Sequence, residues 1–453
     1  MSDNKFSLAI AGAGIGGLVF ALSLQKFCPN IEVNIYEAAT RFGEVGAGIA
    51  VWPRTWELLQ KLELDSDILA VSNTNGKDRA TGFTFRKSDQ PEGMPFPSNA
   101  PRVAFRSLHR ADFLDVLSRN LPQGHKFHFS KRLATYSKLP SGKITLQFAD
   151  GSEAQCDVLV GCDGIKSAVR TTMYRLLAER EKSAGNDTKA ADLARQSEPR
   201  WSGTVIYRSL VYRDELERLF PGHPALSQTM MCFGRDKHIV AYGISSGQKI
   251  NFGGYVSKPD LEGTVYGAQW VHDSSKEEVV AEYRNFEPMI QALLSCLGDV
   301  SLWAVHSLPT LSTFVDDRVA LIGDAAHAMM PYQGSGAGQA FEDGFILAAL
   351  LGHPGTTLEN VDQVLKVYDE IRRPFSQEIV EKSRGNGLKY DLRSPGLEWM
   401  TEEKSVTSPL TPAQLEELGD SIEDAFTWVK TTSVMDDLDK GIKRLEEVLQ
   451  LSK

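Results

Sequence analysis

The N-terminal part of the chain consists of two apolar stretches joined through a glycine-rich turn. The apolar run 6–11 predicts a buried β-strand, the glycines of 12–17 a tight turn, and the mostly apolar segment up to about residue 27 a helix. A second strand is predicted over 32–36, directly before Glu37. This order of elements is a βαβ unit, from which parallel sheets covered by helices are built.

Two later segments have a similar order, with predicted apolar strands at 157–161 and 319–323 and a long helix at 335–351. Polar–apolar alternation predicts antiparallel strands at 81–86, 103–108, 132–139, 143–148, 203–212, 228–233, 238–244 and 250–256. Further helices are predicted at 53–64, from residue 110, at 171–199 as an exposed insertion, at 275–297 and from residue 360 onward. The pattern predicts an α/β protein whose parallel-sheet domain is interrupted by an antiparallel-sheet domain.

Charge and composition exclude several classes of protein. The chain has 453 residues, with 59 Asp and Glu against 49 Lys and Arg, which gives a formal charge of −10. An acidic chain without a basic run is not expected to bind nucleic acid. The five cysteines are scattered, unlike a disulfide framework, so a reducing compartment and the cytoplasm are expected. No metal site is expected, because Cys156 and Cys162 have no further Cys or His nearby.

The apolar segment 7–24 is hydrophobic enough to suggest a signal peptide or a membrane span. It contains four glycines. A strand, a glycine turn and a helix explain its apolar character without a membrane, so no membrane span is expected.

The turn of the first unit carries the motif Gly12-Ala-Gly14-Ile-Gly16-Gly17, which matches G-x-G-x-x-G between a strand and a helix. Glycines there let a pyrophosphate approach the helix N-terminus, where free N–H groups favour negative charge. Glu37 follows the last glycine by 20 residues, where a carboxylate can accept hydrogen bonds from ribose hydroxyls. The motif predicts a bound dinucleotide, and a glycine turn without a nucleotide is the alternative.

A second motif, Gly323-Asp324-Ala-Ala-His327, follows the predicted strand 319–323 and leads into the glycine-rich segment 331–338. An aspartate at the end of a strand can bind a polyol, and the positive end of the following helix can stabilise a negatively charged ring system. A simple strand–turn–helix joint is the alternative for this segment taken alone.

Three motifs together resemble the fingerprints of class A, single-component flavin monooxygenases: the first glycine motif with Glu37, Asp163-Gly164 in a turn, and Gly323-Asp324 with the segment 331–338. The resemblance covers roughly residues 6–375. The segments 42–49 and 331–339 are similar to those of the salicylate-hydroxylase-like branch, which includes fungal phenol and hydroxybenzoate hydroxylases.

The resemblance implies a fold and a domain arrangement. The fold is an α/β fold with a Rossmann-like FAD-binding domain of the p-hydroxybenzoate hydroxylase type, an inserted antiparallel-sheet substrate domain and a helical C-terminal region. The predicted FAD-binding domain comprises residues 1–72, 106–180 and 305–375, the substrate domain 73–105 and 181–304, and the C-terminal region 376–453. The helices from residue 360 onward are expected to pack on the core or to pair two subunits in a homodimer.

The resemblance also implies cofactors and the residues that hold them. FAD is the expected cofactor, and NADH or NADPH is expected to bind transiently, because no second strand–glycine motif is present. For each arginine among the implied residues, a solvated surface charge is the alternative. For the adenosine half of FAD, the implied residues are Gly12, Gly14 and Gly17 at the pyrophosphate and Glu37 at the ribose. Arg41, Gly48 and Arg110 are implied to lie near the phosphate, the ribityl chain and the flavin, and Asp163 in the turn that binds FAD and the nicotinamide. Asp324 is implied to hold the ribityl chain, and Gly336 and Ala337 to contact the flavin.

For the substrate, the resemblance implies that Arg208 and Tyr242 hold a phenolate and that Pro331 lies beside the flavin. The expected reaction uses dioxygen to hydroxylate a small phenolic ring of the salicylate or hydroxybenzoate type through a flavin C4a-hydroperoxide, with loss of carbon dioxide where the attacked carbon carries a carboxylate. A guanidinium close to a phenol favours the phenolate and so activates the ring. A core position for Tyr242 and a surface ion pair for Arg208 are the structural alternatives.

Other functions stay open at this point. A flavin oxidase or reductase would use NAD(P)H without inserting oxygen, and a flavoprotein that acts only as a binding module would show no substrate-stimulated oxidation. A hydroxylase of a larger phenolic secondary metabolite is a further alternative.

Overall fold

The computed structural model describes residues 5–43, 48–71, 82–98, 105–244, 247–408 and 410–450. The strands are β1 Ser7–Ala11, β2 Glu32–Tyr36, β3 Gly48–Val51, β4 Phe83–Lys87, β5 Met94–Phe96, β6 Arg106–His109, β7 Lys126–His128, β8 Leu133–Lys138, β9 Ile144–Phe148, β10 Glu153–Cys156, β11 Val158–Gly161, β12 Arg200–Tyr212, β13 Thr229–Gly234, β14 Lys237–Ile244, β15 Lys249–Ser257, β16 Val271–Ser274, β17 Val300–Ser307, β18 Val315–Asp316 and β19 Val319–Leu321. The helices are α1 Ile15–Phe27, α2 Pro53–Lys61, α3 Asp65–Val71, α4 Arg110–Arg119, α5 Ala168–Ser183, α6 Asp187–Gln196, α7 Arg213–Leu219, α8 Lys276–Glu282, α9 Pro288–Ser295, α10 Asp324–His327, α11 Gly336–Gly352, α12 Val361–Tyr390, α13 Glu402–Thr407, α14 Pro412–Asp424, α15 Trp428–Thr431 and α16 Val434–Val448.

A six-stranded sheet with the order β18-β19-β11-β1-β2-β7 forms the centre of the first core. Its strands are parallel except for the β18–β19 pair. Leu8, Ala9 and Ile10 are all fully buried, because helices cover both faces of a parallel sheet. The strands and helices predicted from the first motif are therefore confirmed, as is the α/β fold class.

The second large sheet has eight strands in the order β16-β17-β12-β15-β14-β13-β4-β5. All neighbours are antiparallel except β4 and β13. The predicted strands at 203–212, 228–233, 238–244 and 250–256 all belong to it, and the structure adds β17 at one side of β12. Part of the predicted strand at 103–108 lies outside the described residues.

Each of two regions that were predicted to be helical contains two helices. The helix predicted over 275–297 is two helices, α8 and α9, because Pro288 cannot continue a helix and instead occupies the first turn of α9. The predicted insertion 171–199 forms the pair α5 and α6, and α5 packs against β8 and β11. The predicted domain boundary at residue 181 lies inside α5, and the division of the chain into domains stays a prediction.

The C-terminal helices pack on both sheets. The long helix α12 contains Pro374 and packs against α11 and α16. Leu415, Ile422 and Trp428 from α14 and α15 share a hydrophobic cluster with Phe233 of β13. This region therefore completes the core beside the eight-stranded sheet. Within the described parts of the chain, no helix is both long and apolar enough to cross a membrane.

Candidate active site

A cavity of about 590 Å³ opens at the carboxyl ends of β1, β11 and β19, where open α/β sheets bind ligands. Gly12 leaves β1 with a φ of +102°, and a Cβ there would lie 2.3 Å from the carbonyl oxygen of Cys162. A Cβ on Gly17 would lie 2.2 Å from the carbonyl oxygen of Gly12. Glycine is thus required at both positions for the close approach of turn and helix. Gly12 and Gly14 line the cavity, whereas Gly17 packs behind the turn.

Two helix N-termini face this cavity without a side-chain cap. Helix α1 begins after Gly14, and α11 begins after Ser335, and neither residue caps its helix with a side-chain hydrogen bond. Gly336 and Ala337, the first residues of α11, line the cavity. N–H groups at a helix N-terminus have no intrahelical partner, so both helices offer donors and a positive dipole end to an anionic ligand.

Glu37 lies at the end of β2 and lines the same cavity. Its Oε2 accepts a hydrogen bond of 2.8 Å from the N–H of Ala13, and its Oε1 accepts one of 2.7 Å from the N–H of Ala39. These two bonds orient the carboxylate, and each oxygen keeps a lone pair for a further donor.

Asp163 occupies the turn after β11, also at the cavity wall. Its Oδ2 accepts hydrogen bonds from the N–H groups of Ala168 (2.8 Å) and Val169 (3.1 Å), at the start of α5. Its Oδ1 is buried without a partner in the described structure. Burial raises the pKa of this carboxyl group, although the hydrogen bonds from Ser167, Val169 and Ala168 oppose the shift.

Of the remaining predicted cofactor residues, three line the first cavity and Arg41 does not. Asp324 is exposed to the cavity at the start of α10, and Arg110 and Gly48 line the wall. Burial lowers the pKa of Arg110, and the nearby Asp324 opposes that shift. Arg41 is exposed and is not among the described residues that line the cavity.

A buried ion network lies behind the second motif. Asp343 accepts hydrogen bonds from Arg372 Nε (2.9 Å) and bonds to His327 Nε2 (2.5 Å). Glu342 bonds to both Arg372 Nη1 and Arg54 Nε at 2.9 Å. This network was not predicted from the sequence, although two adjacent acidic residues inside an apolar helix were a signal, since buried charges require partners.

A second, smaller cavity of about 180 Å³ lies between the eight-stranded sheet and the first cavity. Arg208 and Tyr242 line it, and Pro331 lines both cavities. Gly48 and Gly334 belong to the same shared wall. The structure thus brings the three residues predicted for the substrate to one cavity. Seven of the other lining side chains are aromatic: Trp52, Phe83, Phe105, Phe252, Tyr255, Tyr332 and Tyr390.

Arg208 lies on β12 opposite Gly253 of β15, which has no side chain to fill the space between them. Its guanidinium stands over the ring of Trp303, 4.6 Å from the centroid, and no hydrogen bond or ion pair of this group is found among the described residues. No carboxylate occurs among the described residues that line this cavity. The ion pair considered as the alternative for Arg208 is therefore not observed within the described structure.

Tyr242 lies on β14 with its hydroxyl against the backbone of Gly48. Burial raises the pKa of Tyr242 to about 12, an effect to which Tyr255 adds, whereas Arg208 and a backbone hydrogen bond from Gly48 oppose it. The phenol is therefore neutral at physiological pH.

The second cavity is also lined by three residues that were not predicted from the sequence: His238, Tyr255 and Tyr390. His238 precedes Tyr242 by four residues on the same strand, so the alternation of strand side chains puts both on one face. That periodicity was the available signal for His238.

Comparison with known proteins identifies the family. Residues 5–210 and 261–383 match the family model described as "FAD binding domain". The salicylate hydroxylase of Pseudomonas putida is 33% identical over 98% of this chain and 97% of its own length. The chain belongs to the class A FAD-dependent aromatic monooxygenases, in the salicylate hydroxylase branch.

Other similar members of these monooxygenases come from fungi. The 6-methylsalicylate 1-monooxygenase atA of Aspergillus terreus is 31% identical over 84% of this chain and 82% of its own. A solved structure, a salicylate hydroxylase substrate complex, superposes with a TM-score of 0.80 at 28% identity and covers 97% of this chain and 98% of that chain. The expected family and fold are confirmed by these matches.

The residues at the first cavity fit FAD, the cofactor of these monooxygenases. Two uncapped helix N-termini supply donors for a pyrophosphate and for a negatively charged flavin ring. Glu37 supplies acceptors for hydroxyl groups, and the buried Asp163 Oδ1 without a partner requires a donor. Among the described residues, no cluster of three or more His, Cys, Asp and Glu side chains offers a metal site.

Proposed function

We propose that the chain hydroxylates a single-ring phenol of the salicylate or hydroxybenzoate type, held in the second cavity. The observation that carries this proposal is Arg208, a half-buried cation that has no carboxylate partner among the described residues and lies in a cavity lined mainly by apolar and aromatic side chains. Such a site favours an aromatic anion, because the anion provides the negatively charged partner that the guanidinium does not have within the cavity. The printed names of two relatives, salicylate hydroxylase and 6-methylsalicylate 1-monooxygenase, support the same class of substrate.

The size of the second cavity supports a small substrate. An apolar cavity of roughly 150 Å³ is large enough for benzene. A volume of about 180 Å³ therefore matches one ring with small substituents rather than a fused multi-ring phenol.

We propose that the predicted residues lining the first cavity hold FAD. Gly12 and Gly14 would admit the pyrophosphate to the start of α1, Glu37 would accept from the ribose, and Asp324 would accept from the ribityl chain. Gly336 and Ala337 would present N–H groups to the ring. For Gly17, we propose an indirect role in which its missing Cβ lets the turn close, and for Arg41 no contact in the described structure supports the predicted role.

When bound and reduced by NADH or NADPH, FAD supplies the activated oxygen atom. Arg208 favours the ionised form of a phenol, whose usual pKa is about 10, and so increases the electron density of the ring. Tyr242 orients the substrate against the wall shared with the first cavity, where Pro331 lies. The overall reaction consumes phenol, dioxygen, NAD(P)H and a proton and gives the hydroxylated ring, NAD(P)⁺ and water. Where the attacked carbon carries a carboxylate, carbon dioxide leaves in place of the proton that is lost in ordinary hydroxylation.

The test is a screen of salicylate, hydroxybenzoates and phenols for stimulated NAD(P)H oxidation, with product masses read for gain of oxygen and loss of the carboxyl group. Arg208→Met should lower kcat/KM for the best substrate by about 100-fold, equivalent to about 2.7 kcal/mol, with the FAD content unchanged. Arg218→Met, which changes an exposed arginine on α7, is the matched control. Full turnover of Arg208→Met would refute its role, and NAD(P)H use without an oxygenated product would identify a reductase or oxidase.

We also propose that the protein acts in the cytoplasm, since its five cysteines are free thiols. A homodimer stays a prediction, which sedimentation analysis of the purified holoenzyme tests.

A further inference from the structure

Three cavities lie in a row beside the eight-stranded sheet. The second cavity is followed by an intermediate cavity of about 30 Å³ and then by an outer cavity of about 390 Å³. Tyr332 lines both the second and the intermediate cavity, whereas Ser202 and Met330 line both the intermediate and the outer cavity. The ring of Tyr332 therefore separates the second cavity from the space behind it.

The order of residues on β12 follows this row. Arg208 and Ile206 line the second cavity, and Thr204 lines the intermediate cavity. These three residues alternate along the strand, so their side chains share one face. At about 3.3 Å per residue, Thr204 is roughly 13 Å from Arg208 along the strand. A substrate that is anchored at Arg208 and lies along the strand has its far end at Thr204 and Tyr332.

Tyr332 is held through both its backbone and its side chain. Its carbonyl oxygen accepts a hydrogen bond of 3.0 Å from Tyr390 Oη, and its own Oη lies 3.2 Å from Thr204 Oγ1. Its ring meets those of Tyr255 and His238, with centroids 5.9 and 5.7 Å away. These contacts keep the ring in place at the end of the second cavity.

Gly387 of α12 makes room for this ring. A Cβ on Gly387 would lie 2.3 Å from Cε2 of Tyr332 and 2.5 Å from Cδ2. A residue with a side chain at this position would thus push the ring away from α12, towards the second cavity. The ring and the glycine behind it together fix where the second cavity ends.

The space behind Tyr332 is polar. Thr204 Oγ1 lies 2.9 Å from Ser257 Oγ, and both residues line the intermediate cavity. At the boundary with the outer cavity, the Arg384 guanidinium donates two hydrogen bonds, of 3.0 and 2.8 Å, to the Glu262 carboxylate. A group that enters this space must therefore form hydrogen bonds there, which a hydroxyl group can do and an alkyl group cannot.

We propose that Tyr332 is a specificity-determining residue whose ring limits the substrate to phenols without a long substituent para to the hydroxyl. The inference rests on the proposed function, because it takes the phenolic oxygen of the substrate to lie at Arg208. The hydroxyl of Tyr332 occupies the place at Thr204 that the end of a polar tail would take. Removal of the ring should join the second cavity to the two cavities behind it, which have room for such a tail.

The first experiment compares three ligands on the wild-type holoenzyme: phenol, 4-(3-hydroxypropyl)phenol and 4-butylphenol. The two tails have the same number of non-hydrogen atoms and differ in their polar end. Dissociation constants are read from the change in flavin absorbance. Both substituted phenols are expected to bind at least about tenfold more weakly than phenol, because displacing a packed ring costs free energy. Wild-type protein that binds either of them as tightly as phenol would overturn the proposal.

Tyr332→Ala should admit the polar tail. In this variant 4-(3-hydroxypropyl)phenol is expected to bind at least as tightly as phenol, because its hydroxyl replaces Tyr332 Oη at Thr204. 4-Butylphenol should bind about two- to tenfold more weakly than the hydroxypropyl compound, the effect of one neutral hydrogen bond. Tyr332→Phe keeps the ring and loses only the hydroxyl, so this matched control should exclude both tails. Exclusion of both tails by Tyr332→Ala, or their admission by Tyr332→Phe, would contradict the proposal.

A double variant tests where the tail lies. Thr204→Val added to Tyr332→Ala removes the hydroxyl that the tail is expected to contact. The preference for the hydroxypropyl over the butyl compound should then disappear, while the affinity for phenol stays as in Tyr332→Ala. A preference that persists would refute the placement of the tail at Thr204.

Gly387→Ala tests the same wall from the other side and decides the question if Tyr332→Ala does not fold. The displaced ring should shorten the second cavity, so the ratio of the dissociation constants of 4-methylphenol and phenol should rise by about tenfold. Gly385→Ala, on the same helix, is the matched control, because a Cβ at Gly385 would meet nothing within 4 Å. An equal ratio in both variants would show that Tyr332 does not set the length limit.

The two levels of inference fail differently. If no phenol perturbs the flavin spectrum of the wild type, the proposed function is wrong. If phenol binds and is hydroxylated but the tails bind equally well to the wild type and to Tyr332→Ala, only the role of Tyr332 is wrong.

Discussion

The hydroxyl of Tyr242 lies so close to the backbone of Gly48 that a Cβ on this glycine would be 2.4 Å from the oxygen. Gly48 belongs to the wall shared by the two cavities, and Tyr242 belongs to the smaller one. Because residue 48 has no side chain, the ring of Tyr242 can lie close to the wall that borders the first cavity.

Gly48→Ala is therefore expected to displace the ring of Tyr242 and to raise KM for the aromatic substrate about tenfold, with FAD still bound. Steady-state kinetics and the flavin absorbance of the purified variant check this result. Gly43→Ala is the matched control, because a Cβ at Gly43 would meet nothing within 4 Å. An unchanged KM in Gly48→Ala would show that the contact does not position Tyr242.

Glu37→Gln tests the proposed ribose contact. The carboxylate accepts from two backbone N–H groups, and an amide replaces one of its oxygens by a donor that faces an N–H. We expect FAD to bind between about 10- and 100-fold more weakly, since charge-assisted hydrogen bonds contribute about 1.5–3 kcal/mol. Fluorescence titration of the apoprotein with FAD measures the change.

Glu32→Gln is the control for Glu37, because Glu32 lies at the other end of β2 and pairs with Lys126 at the surface. This variant should bind FAD as the wild type does. Equal affinity in all three proteins would remove Glu37 from the cofactor site.

Arg372→Met tests the buried ion network behind the second motif. Arg372, Glu342 and Asp343 have fully buried side chains. Removing the cation leaves two buried carboxylates with fewer partners, which is expected to lower the free energy of unfolding by about 3–5 kcal/mol. Urea unfolding of the holoprotein followed by circular dichroism gives the value.

Arg373→Met is the matched control, one residue along the same helix. Arg373 is partly exposed and pairs with Asp369 one turn away. Because Arg373 is partly exposed to solvent, its removal is expected to lower the free energy of unfolding less than removal of the fully buried Arg372. A loss in Arg372→Met no larger than that in Arg373→Met would contradict a stabilising role for the network.

Local patterns predicted much of the fold. The strand β1 and helix α1 follow from an apolar run, a glycine turn and a helical period, all within neighbouring residues. The helix predicted over 275–297 was wrong at Pro288, where the breaking effect of proline outweighs the apolar periodicity.

Contacts between distant residues were not predictable from one sequence. His238 and Asp391 are 153 residues apart, and Arg54 and Glu342 are 288 apart. Their meeting depends on how α11 and α12 pack on the sheets, and no local spacing encodes that arrangement. The cofactor motifs were recognisable because their glycines and acidic side chains contact backbone groups of the turn in which they lie, so a local sequence pattern is sufficient to identify them.

Tyr242→Phe tests the proposed role of Tyr242 in orienting the substrate. Burial raises the pKa of Tyr242 from 10 to about 12, so this phenol keeps its proton throughout the pH range 6–10. The variant should therefore retain the shape of the kcat/KM profile in that range. KM should rise by about two- to tenfold, equivalent to one neutral hydrogen bond of about 0.5–1.5 kcal/mol. Tyr212→Phe, at an exposed tyrosine of β12, should leave both quantities unchanged. An unchanged KM in Tyr242→Phe would show that the hydroxyl of Tyr242 does not hold the substrate.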